Sequence, residues 1–359
     1  MSSILYSPVL DVATSARHIL LSPLISGPLL FTATFAPRVL HQVISAIISR
    51  LPIGSDASVQ LVERSTTTAI RALFALSIIR QVNQWLSTMA TNSWRLTKSR
   101  GWDWPQEIAV VTGGCSGIGK DIVGNLTCMG VRVAILDIQP LPKSMESDAR
   151  IRFYQCDVTS SQSIAEAGDG IRRDLGHPTI LINNAGIARP TPILKMPESL
   201  LRKVFDVNCL SLWLTTQQFL PNMVQMNKGH VITIASIASF VALPTGADYS
   251  ASKAGALAFH ESLACELKHY YKSPDVLTTV VHPNFVRTPL VDDFAEHLES
   301  SGVRMMTPKQ IADPVVAQIK SRRGGQLIIP RSASPIAGIR GWPSWLQELL
   351  RDVLGRQSL

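Results

Sequence analysis

The sequence lacks the cysteine and histidine patterns that mark structural metal sites and disulfide-rich proteins. It has five cysteines in 359 residues, no CxxC pair, and no histidine at zinc-ligand spacing from any of them. Disulfide scaffolds and zinc modules carry such residues at fixed spacings. The sequence therefore predicts no bound metal and reduced, mostly buried thiols at Cys115, Cys128, Cys156, Cys209 and Cys265.

Long runs of like charge are also absent. The formal net charge is +8, yet the basic residues are scattered and no block of five like charges occurs. Nucleic-acid-binding proteins usually concentrate lysine and arginine in one run or on one face. Nucleic acid is therefore not an expected partner.

Charge is missing altogether between His18 and Pro37, although Pro23, Gly27 and Pro28 interrupt that apolar run. A kinked, re-entrant or interfacial helix therefore fits this stretch better than a straight spanning helix. Two more apolar stretches follow, each interrupted or flanked by arginine, although no arginine lies at the centre of either. Those stretches are residues 39–48 and 66–79.

Three interpretations remain open for residues 1–106. We expect a membrane-associated extension, because arginine-flanked apolar blocks and later tryptophans are typical of membrane interfaces. The catalytic domain would then be cytosolic, on the endoplasmic reticulum or a lipid droplet. The alternatives are a soluble helical cap and a cleaved targeting peptide.

From residue 107 the composition changes to that of an α/β domain. Apolar runs alternate with helical patterns up to residue 334, which predicts a Rossmann-type, doubly wound parallel sheet of about seven strands. Residues 335–359 form a separate amphipathic tail, either a second membrane contact or a packed helix. The predicted strands are 108–112, 132–136, 152–156, 179–182, 230–235, 276–281 and 326–329.

The first of these strands runs into a glycine-rich turn. Gly113 and Gly117 allow a tight turn close to a pyrophosphate, and Gly119 lets the following helix pack on the strand. The free N–H groups at the start of that helix favour negative charge. Asp137, at the end of the second strand, is placed to bond an adenosine ribose. The turn also contains Ser116 and Ile118.

A second group of residues carries acid–base chemistry. Tyr249 and Lys253 stand four apart at the start of a helical pattern, so their side chains share one face. A neighbouring ammonium lowers the pKa of a phenol, which makes a general acid/base. Ser236 ends an apolar strand and could hold a carbonyl or alcohol oxygen, with Ser239 as a rival.

These motifs together resemble the classical short-chain dehydrogenase/reductase family, over about residues 107–330. The matches occur in family order: TGGCSGIG, Asp157 with Val158, NNAG at residues 183–186, Asn208, Ser236 and YSASK. The resemblance implies an oxidoreductase in which Tyr249 is the acid/base. It further implies that Lys253 also holds the nicotinamide ribose and that Ser236 orients substrate. Asn208 would kink the long helix and support a proton relay from Lys253 to solvent.

The resemblance also implies the cofactor contacts. Asp157 would bond the adenine amino group beside Val158, and Asn184 would support the central strand and the adenosine ribose. Val286 and Thr288 would contact the nicotinamide carboxamide and the pyrophosphate. The chain departs from the family where Pro-Gly is usual, because Asn284 follows the proline; asparagine tolerates a left-handed backbone.

Cofactor choice rests on the acid at the end of the second strand. A carboxylate at Asp137 bonds two ribose hydroxyls and repels a 2′-phosphate, which favours NAD over NADP. Lys120, beside the last glycine, could partly compensate a phosphate. The expected cofactor is therefore NAD or NADP, with NAD favoured.

The substrate is expected to be a lipophilic alcohol or its ketone or aldehyde. The family's lid corresponds to residues 289–307, which contain two methionines, and residues 240–244 are apolar. With the apolar extension and WDW at residues 102–104, the chain resembles the membrane-attached retinol and hydroxysteroid dehydrogenase branch.

Two other functions stay open: a tailoring reductase of a soluble polyketide-like or terpenoid ketone, and a non-catalytic membrane or lipid-droplet scaffold. The resemblance also implies a homo-oligomer formed through the helical patterns at residues 199–224 and 249–270.

Overall fold

A computed structural model describes residues 22–48, 56–95 and 97–357. The first 21 residues of the predicted extension lie outside the described residues, as do 49–55, 96, 358 and 359. The described chain divides between Ala90 and Thr91 into a helical unit and a catalytic unit.

In the described part of the helical unit there are three helices: α1 (Pro23–Phe35), α2 (Pro37–Ile48) and α3 (Asp56–Thr91), the last ending at the unit boundary. Ser26 and Ser77 are fully buried and share a 2.9 Å hydrogen bond between their hydroxyls. Gly27 faces Phe74, so α1 and α3 pack closely, as small residues allow in apolar helices. No single described helix has the length and hydropathy to cross a bilayer, whereas α1 and α2 together do, with a 98° bend between them.

The catalytic unit is built on one seven-stranded, all-parallel sheet with the order β3-β2-β1-β4-β5-β6-β7. The predicted doubly wound parallel sheet is confirmed. Strand order reverses between β1 and β4, and ligands of such sheets bind at the carboxyl ends beside this reversal. The strands are β1 (Ile108–Thr112), β2 (Arg132–Asp137), β3 (Ile151–Gln155), β4 (Ile180–Asn183), β5 (Gly229–Ile234), β6 (Val276–Pro283) and β7 (Gly325–Ile329).

Helices cover both faces of the sheet, which explains why β1 is buried along its whole length. One apolar core lies under α4 and α11, and the other lies under α6, α8 and α9. The helices of this unit are α4 (Gly117–Cys128), α5 (Lys143–Glu146), α6 (Ser161–Asp174), α7 (Glu198–Phe205), α8 (Ser211–Gln225), α9 (Ala247–His269), α10 (Ala295–Ser300), α11 (Pro308–Ser321) and α12 (Ser344–Gln357).

The helix predicted over residues 199–224 is interrupted. A π-helical turn, Asp206–Leu210, separates α7 from α8. Such a turn widens the helix without ending it, and it includes Asn208, the position at which the resemblance implies a kink. The turn brings Asn208 to the inside of the fold, where it is 2% exposed.

The amino-terminal edge of the sheet is closed by a buried ion pair. Glu107, which is fully buried, lies 2.7 Å from the ammonium of Lys228 and accepts a hydrogen bond from the hydroxyl of Thr179 at 2.6 Å. The ring of Trp102 lies 5.3 Å from the same ammonium. The segment before β1 is thereby fixed to the end of the sheet opposite the carboxyl ends of the strands.

Candidate cofactor and catalytic site

The glycine-rich turn joins β1 to α4 at the carboxyl edge of the sheet. Gly113 has a positive φ of 64°, which other residues rarely adopt. A Cβ on Gly119 would lie 2.2 Å from the carbonyl oxygen of Gly113 and 2.6 Å from Asn184 Nδ2. The first turn of α4 therefore rests directly on the loop, and its free N–H groups form a site that favours an anion.

Asp137 lies beside this loop at the end of β2. One carboxylate oxygen accepts the amide N–H of Cys115 at 3.0 Å, and the other accepts that of Gln139 at 3.0 Å. The carboxylate is thus held in place at the position predicted for ribose recognition. Burial and the adjacent Asp137 charge raise the pKa of Cys115 to about 12, so this thiol stays protonated.

Asn184 ties the carboxyl ends of β1 and β4 together. Its side-chain amide donates to the carbonyl oxygens of Thr112 and Gly113, both at 3.0 Å. The Thr112 hydroxyl in turn accepts the amide N–H groups of Asn184 and Ala185. Just after β3, Asp157 accepts hydrogen bonds from the backbone N–H and the hydroxyl of Thr159.

Ser236, Tyr249 and Lys253 converge next to this loop edge. Ser236 follows β5, whereas Tyr249 lies in the first turn of α9, close enough to the Ser236 hydroxyl for that hydroxyl to lower the pKa of the phenol. Lys253, one turn later, donates to the carbonyl of Ile234 at 2.9 Å and lies 5.7 Å from the centroid of the Tyr249 ring. Ser239, the rival candidate, donates its hydroxyl to the Ser236 carbonyl instead.

The electrostatics of the tyrosine differ from the sequence-based expectation. Burial has the largest influence on Tyr249 and raises its pKa, while the hydrogen bond with Ser236 lowers it. Burial also lowers the pKa of Lys253 to about 8. The ammonium is directed toward the Ile234 carbonyl, so the lysine is not the dominant influence on the phenol.

Asn208 connects the loop after β4 to α9. Its side-chain oxygen accepts the N–H of Ile187 and its amide donates to the Ile187 carbonyl, both at 2.8 Å. The same amide donates to the Ser252 hydroxyl at 3.2 Å. The π-helical turn thus holds the buried amide of Asn208 against α9, at the residue that precedes Lys253.

The segment after β6 returns to the glycine-rich turn. Val286 forms a parallel bridge with Met306, and the methyl of Thr288 would lie 3.0 Å from a Cβ on Gly117. Asn284 donates its N–H to Ile329 at 2.8 Å and does not adopt a positive φ. The turn that usually contains Pro-Gly therefore forms here without a left-handed residue.

His282 is a neighbour of the site that sequence reasoning missed. Its Nδ1 lies 3.0 Å from the Ser236 carbonyl, its Nε2 lies 3.2 Å from Gln326 Nε2, and its ring packs on Phe240 at 4.4 Å. Because the amide nitrogen of Gln326 can only donate, His282 Nε2 accepts its hydrogen bond. The ring proton is therefore on His282 Nδ1, which donates to the carbonyl oxygen of Ser236. The position before Pro283 in a buried strand gave no signal for this contact.

Three buried histidines make the stability of the catalytic unit depend on pH. Burial lowers the pKa of His230 to about 3 and those of His260 and His282 to about 4. The pKa of a histidine in the unfolded chain is about 6.5. Below that pH the unfolded chain therefore binds more protons than the folded chain, and folding stability falls. We expect the free energy of unfolding to drop as pH falls from about 6.5 toward 4, by up to about 1.4 kcal/mol per pH unit for each histidine.

Urea unfolding at about pH 5 and pH 7 measures this dependence. His230→Gln removes one titrating ring and keeps an amide near Thr279, the residue whose hydroxyl lies 2.8 Å from His230. The variant should show a shallower loss of stability in acid than the natural protein. Equal pH dependence in both proteins would mean that His230 does not contribute.

Comparison with known proteins gives one family. Residues 107–299 match the profile described as short chain dehydrogenase. "Dehydrogenase RED2" of Cochliobolus heterostrophus is 36% identical over 222 residues, which cover 62% of this chain and 83% of that protein. Human "Epidermal retinol dehydrogenase 2" is 30% identical over 220 residues, which cover 59% and 71%.

The fold also has solved counterparts. The structure of "4-hydroxyisoleucine dehydrogenase complexed with NADH" superimposes with a TM-score of 0.56 at 24% identity, over 62% of this chain and 96% of that one. At this level of identity the likeness concerns the fold of the catalytic unit.

Proposed function

Since this chain belongs to the short-chain dehydrogenase family, we propose that it interconverts a lipophilic alcohol and its ketone or aldehyde. The observation that carries the proposal is the convergence of Ser236, Tyr249 and Lys253 at the sheet edge that also holds the glycine-rich turn. An acid/base beside a dinucleotide loop suits hydride transfer.

The residues at this edge fit a nicotinamide dinucleotide. Gly119 packs on Gly113 with no room for a side chain, at the start of α4, where the free N–H groups favour a pyrophosphate. Bound NAD or NADP would supply the hydride acceptor or donor. The proposed cofactor contacts are Gly113, Ser116, Gly117, Ile118, Gly119, Asp137, Asp157, Val158, Asn184, Tyr249, Lys253, Val286 and Thr288.

Side chains of this protein transfer the proton of the substrate. In oxidation, the phenolate of Tyr249 takes the hydroxyl proton of the alcohol while the Ser236 hydroxyl holds the substrate oxygen. Lys253 stabilises the phenolate, and Asn208 supports the relay that links Lys253 to solvent. In reduction, Tyr249 returns the proton to the carbonyl oxygen.

NAD is the proposed cofactor because of Asp137. We expect Asp137→Asn to weaken NADH binding about tenfold to a hundredfold, since a hydrogen bond to a charged group contributes about 1.5–3 kcal/mol. The same change should strengthen NADPH binding by removing a repulsive charge. Fluorescence titrations of NADH and NADPH measure both effects.

Lys120→Ala is the matched control for this titration. It should leave NADH binding unchanged and weaken NADPH only if Lys120 contacts a 2′-phosphate. Tighter binding of NADPH than NADH by the natural protein would contradict the assignment of Asp137.

We propose that the apolar extension associates with a membrane. Helix α2 buries Ile44 and Ile48, whereas Val39, Val43 and Ile47 form an exposed row spaced by four residues. An apolar row with an arginine and a histidine at its side fits an interfacial helix. The cytosolic face of the endoplasmic reticulum or a lipid droplet is the proposed location.

Substrate class is tested with the full chain in mild detergent. We expect NAD-dependent oxidation of long-chain, steroid or retinoid alcohols, in line with the name of the human relative. Turnover of soluble polyketide-like or terpenoid ketones alone would support a tailoring reductase. Cofactor binding without any turnover would support a scaffold.

A further inference from the structure

Two segments far apart in sequence meet at the amino-terminal edge of the sheet. The N–H of Ser99 donates to the carbonyl of Arg322 at 3.2 Å, and the N–H of Gly324 donates to Asn92 Oδ1 at 3.3 Å. Asn92 and Ser99 are both buried. A Cβ on Gly324 would lie 2.6 Å from the carbonyl oxygen of Thr91, so the contact is close.

This contact gathers basic residues that the sequence scatters. We call them the basic edge, which comprises Lys98, Arg100, Lys320, Arg322 and Arg323. The three residues other than the consecutive arginines are exposed, and the two arginines are half-buried. In the described chain none of the five lies within ion-pair distance of a carboxylate.

The carboxylates nearby are largely neutralised. Asp275, at the start of β6, forms an ion pair with Arg95, and Glu107 pairs with Lys228. Asp103 is the one further acid between residues 91 and 107. The basic edge therefore carries net positive charge toward solvent.

Exposed aromatic residues lie in two segments at the amino-terminal end of the sheet. Trp94 is 55% exposed and precedes the arginine that pairs with Asp275. Tyr270 and Tyr271, just before β6, are 77% and 41% exposed. Tryptophan and tyrosine beside basic side chains are typical of surfaces at the level of lipid headgroups.

We propose that the basic edge docks the catalytic unit on a membrane surface of anionic phospholipids. The inference rests on the proposed membrane association. Residue 91 begins the catalytic unit directly after the apolar helices in the chain, so the edge follows immediately on the lipid-associated segment. A juxtamembrane lysine or arginine strengthens binding to anionic lipid about fivefold.

Docking at this edge has a consequence for the substrate. The catalytic residues lie at the carboxyl ends of the strands, and strands of about six residues are roughly 20 Å long. The Tyr249 phenol would thus sit roughly 20 Å or more from the lipid surface. A lipophilic alcohol has to leave the bilayer to reach it.

Vesicle flotation of the full chain tests the proposal. The probes are vesicles of phosphatidylcholine alone and of phosphatidylcholine with phosphatidylserine. We expect Lys98→Glu/Arg100→Glu/Lys320→Glu to lose the gain in binding that phosphatidylserine provides, at least tenfold at low salt. Binding to neutral vesicles and turnover in detergent should not change, because these side chains are exposed and far from the active site.

A charge-matched control carries Lys143→Glu, Lys195→Glu and Lys203→Glu, three exposed lysines outside the basic edge. It should keep more of the gain than the edge variant does. Equal loss in both variants, or no gain with phosphatidylserine in the natural protein, would overturn the basic edge. Failure of the natural protein to float with either vesicle would instead reject membrane association itself. Tighter edge-dependent binding to an RNA oligonucleotide than to vesicles would also overturn the proposal.

Discussion

Replacing Tyr249 with phenylalanine is expected to lower turnover by roughly a hundredfold to ten-thousandfold, the range that a positioned acid/base contributes. The change deletes only the phenol oxygen, which faces Ser236, and leaves the ring in its buried position. Binding of NADH should stay within a few-fold of the natural protein. Steady-state oxidation of an alcohol that the natural protein turns over, with a parallel NADH titration, measures both quantities.

Tyr154→Phe is the matched control. It also deletes one phenol oxygen, which donates a hydrogen bond to Asp174 at 3.0 Å, but Tyr154 lies in β3, away from the catalytic residues. It should turn over normally. Full turnover by Tyr249→Phe would show that another group moves the proton. A joint loss of turnover and NADH binding would point to a folding defect.

Gly119→Ala is expected to abolish cofactor binding and to destabilise the catalytic unit. The added methyl would lie 2.2 Å from the Gly113 carbonyl oxygen, a backbone atom that cannot move aside without displacing the glycine-rich turn. Overpacking of this kind costs about 1–3 kcal/mol. NADH titration and urea unfolding measure the two losses.

Gly124→Ala, in the same helix, gives the opposite expectation. No atom lies within 4 Å of a Cβ there, so the change should preserve NADH binding and add about 0.5–1 kcal/mol of stability through helix propensity. Normal NADH binding by Gly119→Ala would mean that close packing of α4 on the loop is not required.

Local chemistry in the sequence predicted the sheet, the glycine-rich turn and the tyrosine–lysine pair of the candidate site. Strands buried on both faces carry continuous apolar runs, so β1 and β2 were recognisable without tertiary information. The glycine-rich turn and the four-residue spacing of Tyr249 and Lys253 reflect constraints that act within one loop or one helical turn. For that reason the residues themselves predicted which side chains lie at one edge of the sheet.

Only the tertiary structure decided the features that depend on residues distant in sequence. The influence of burial on Tyr249 exceeds that of Lys253, and burial is a property of the whole fold. His282 reaches the Ser236 carbonyl across 46 positions of the chain. The basic edge arises because Ser99 bonds Arg322, so charges that are scattered along the sequence share one surface. Such contacts form by strand order and packing, which no local spacing encodes.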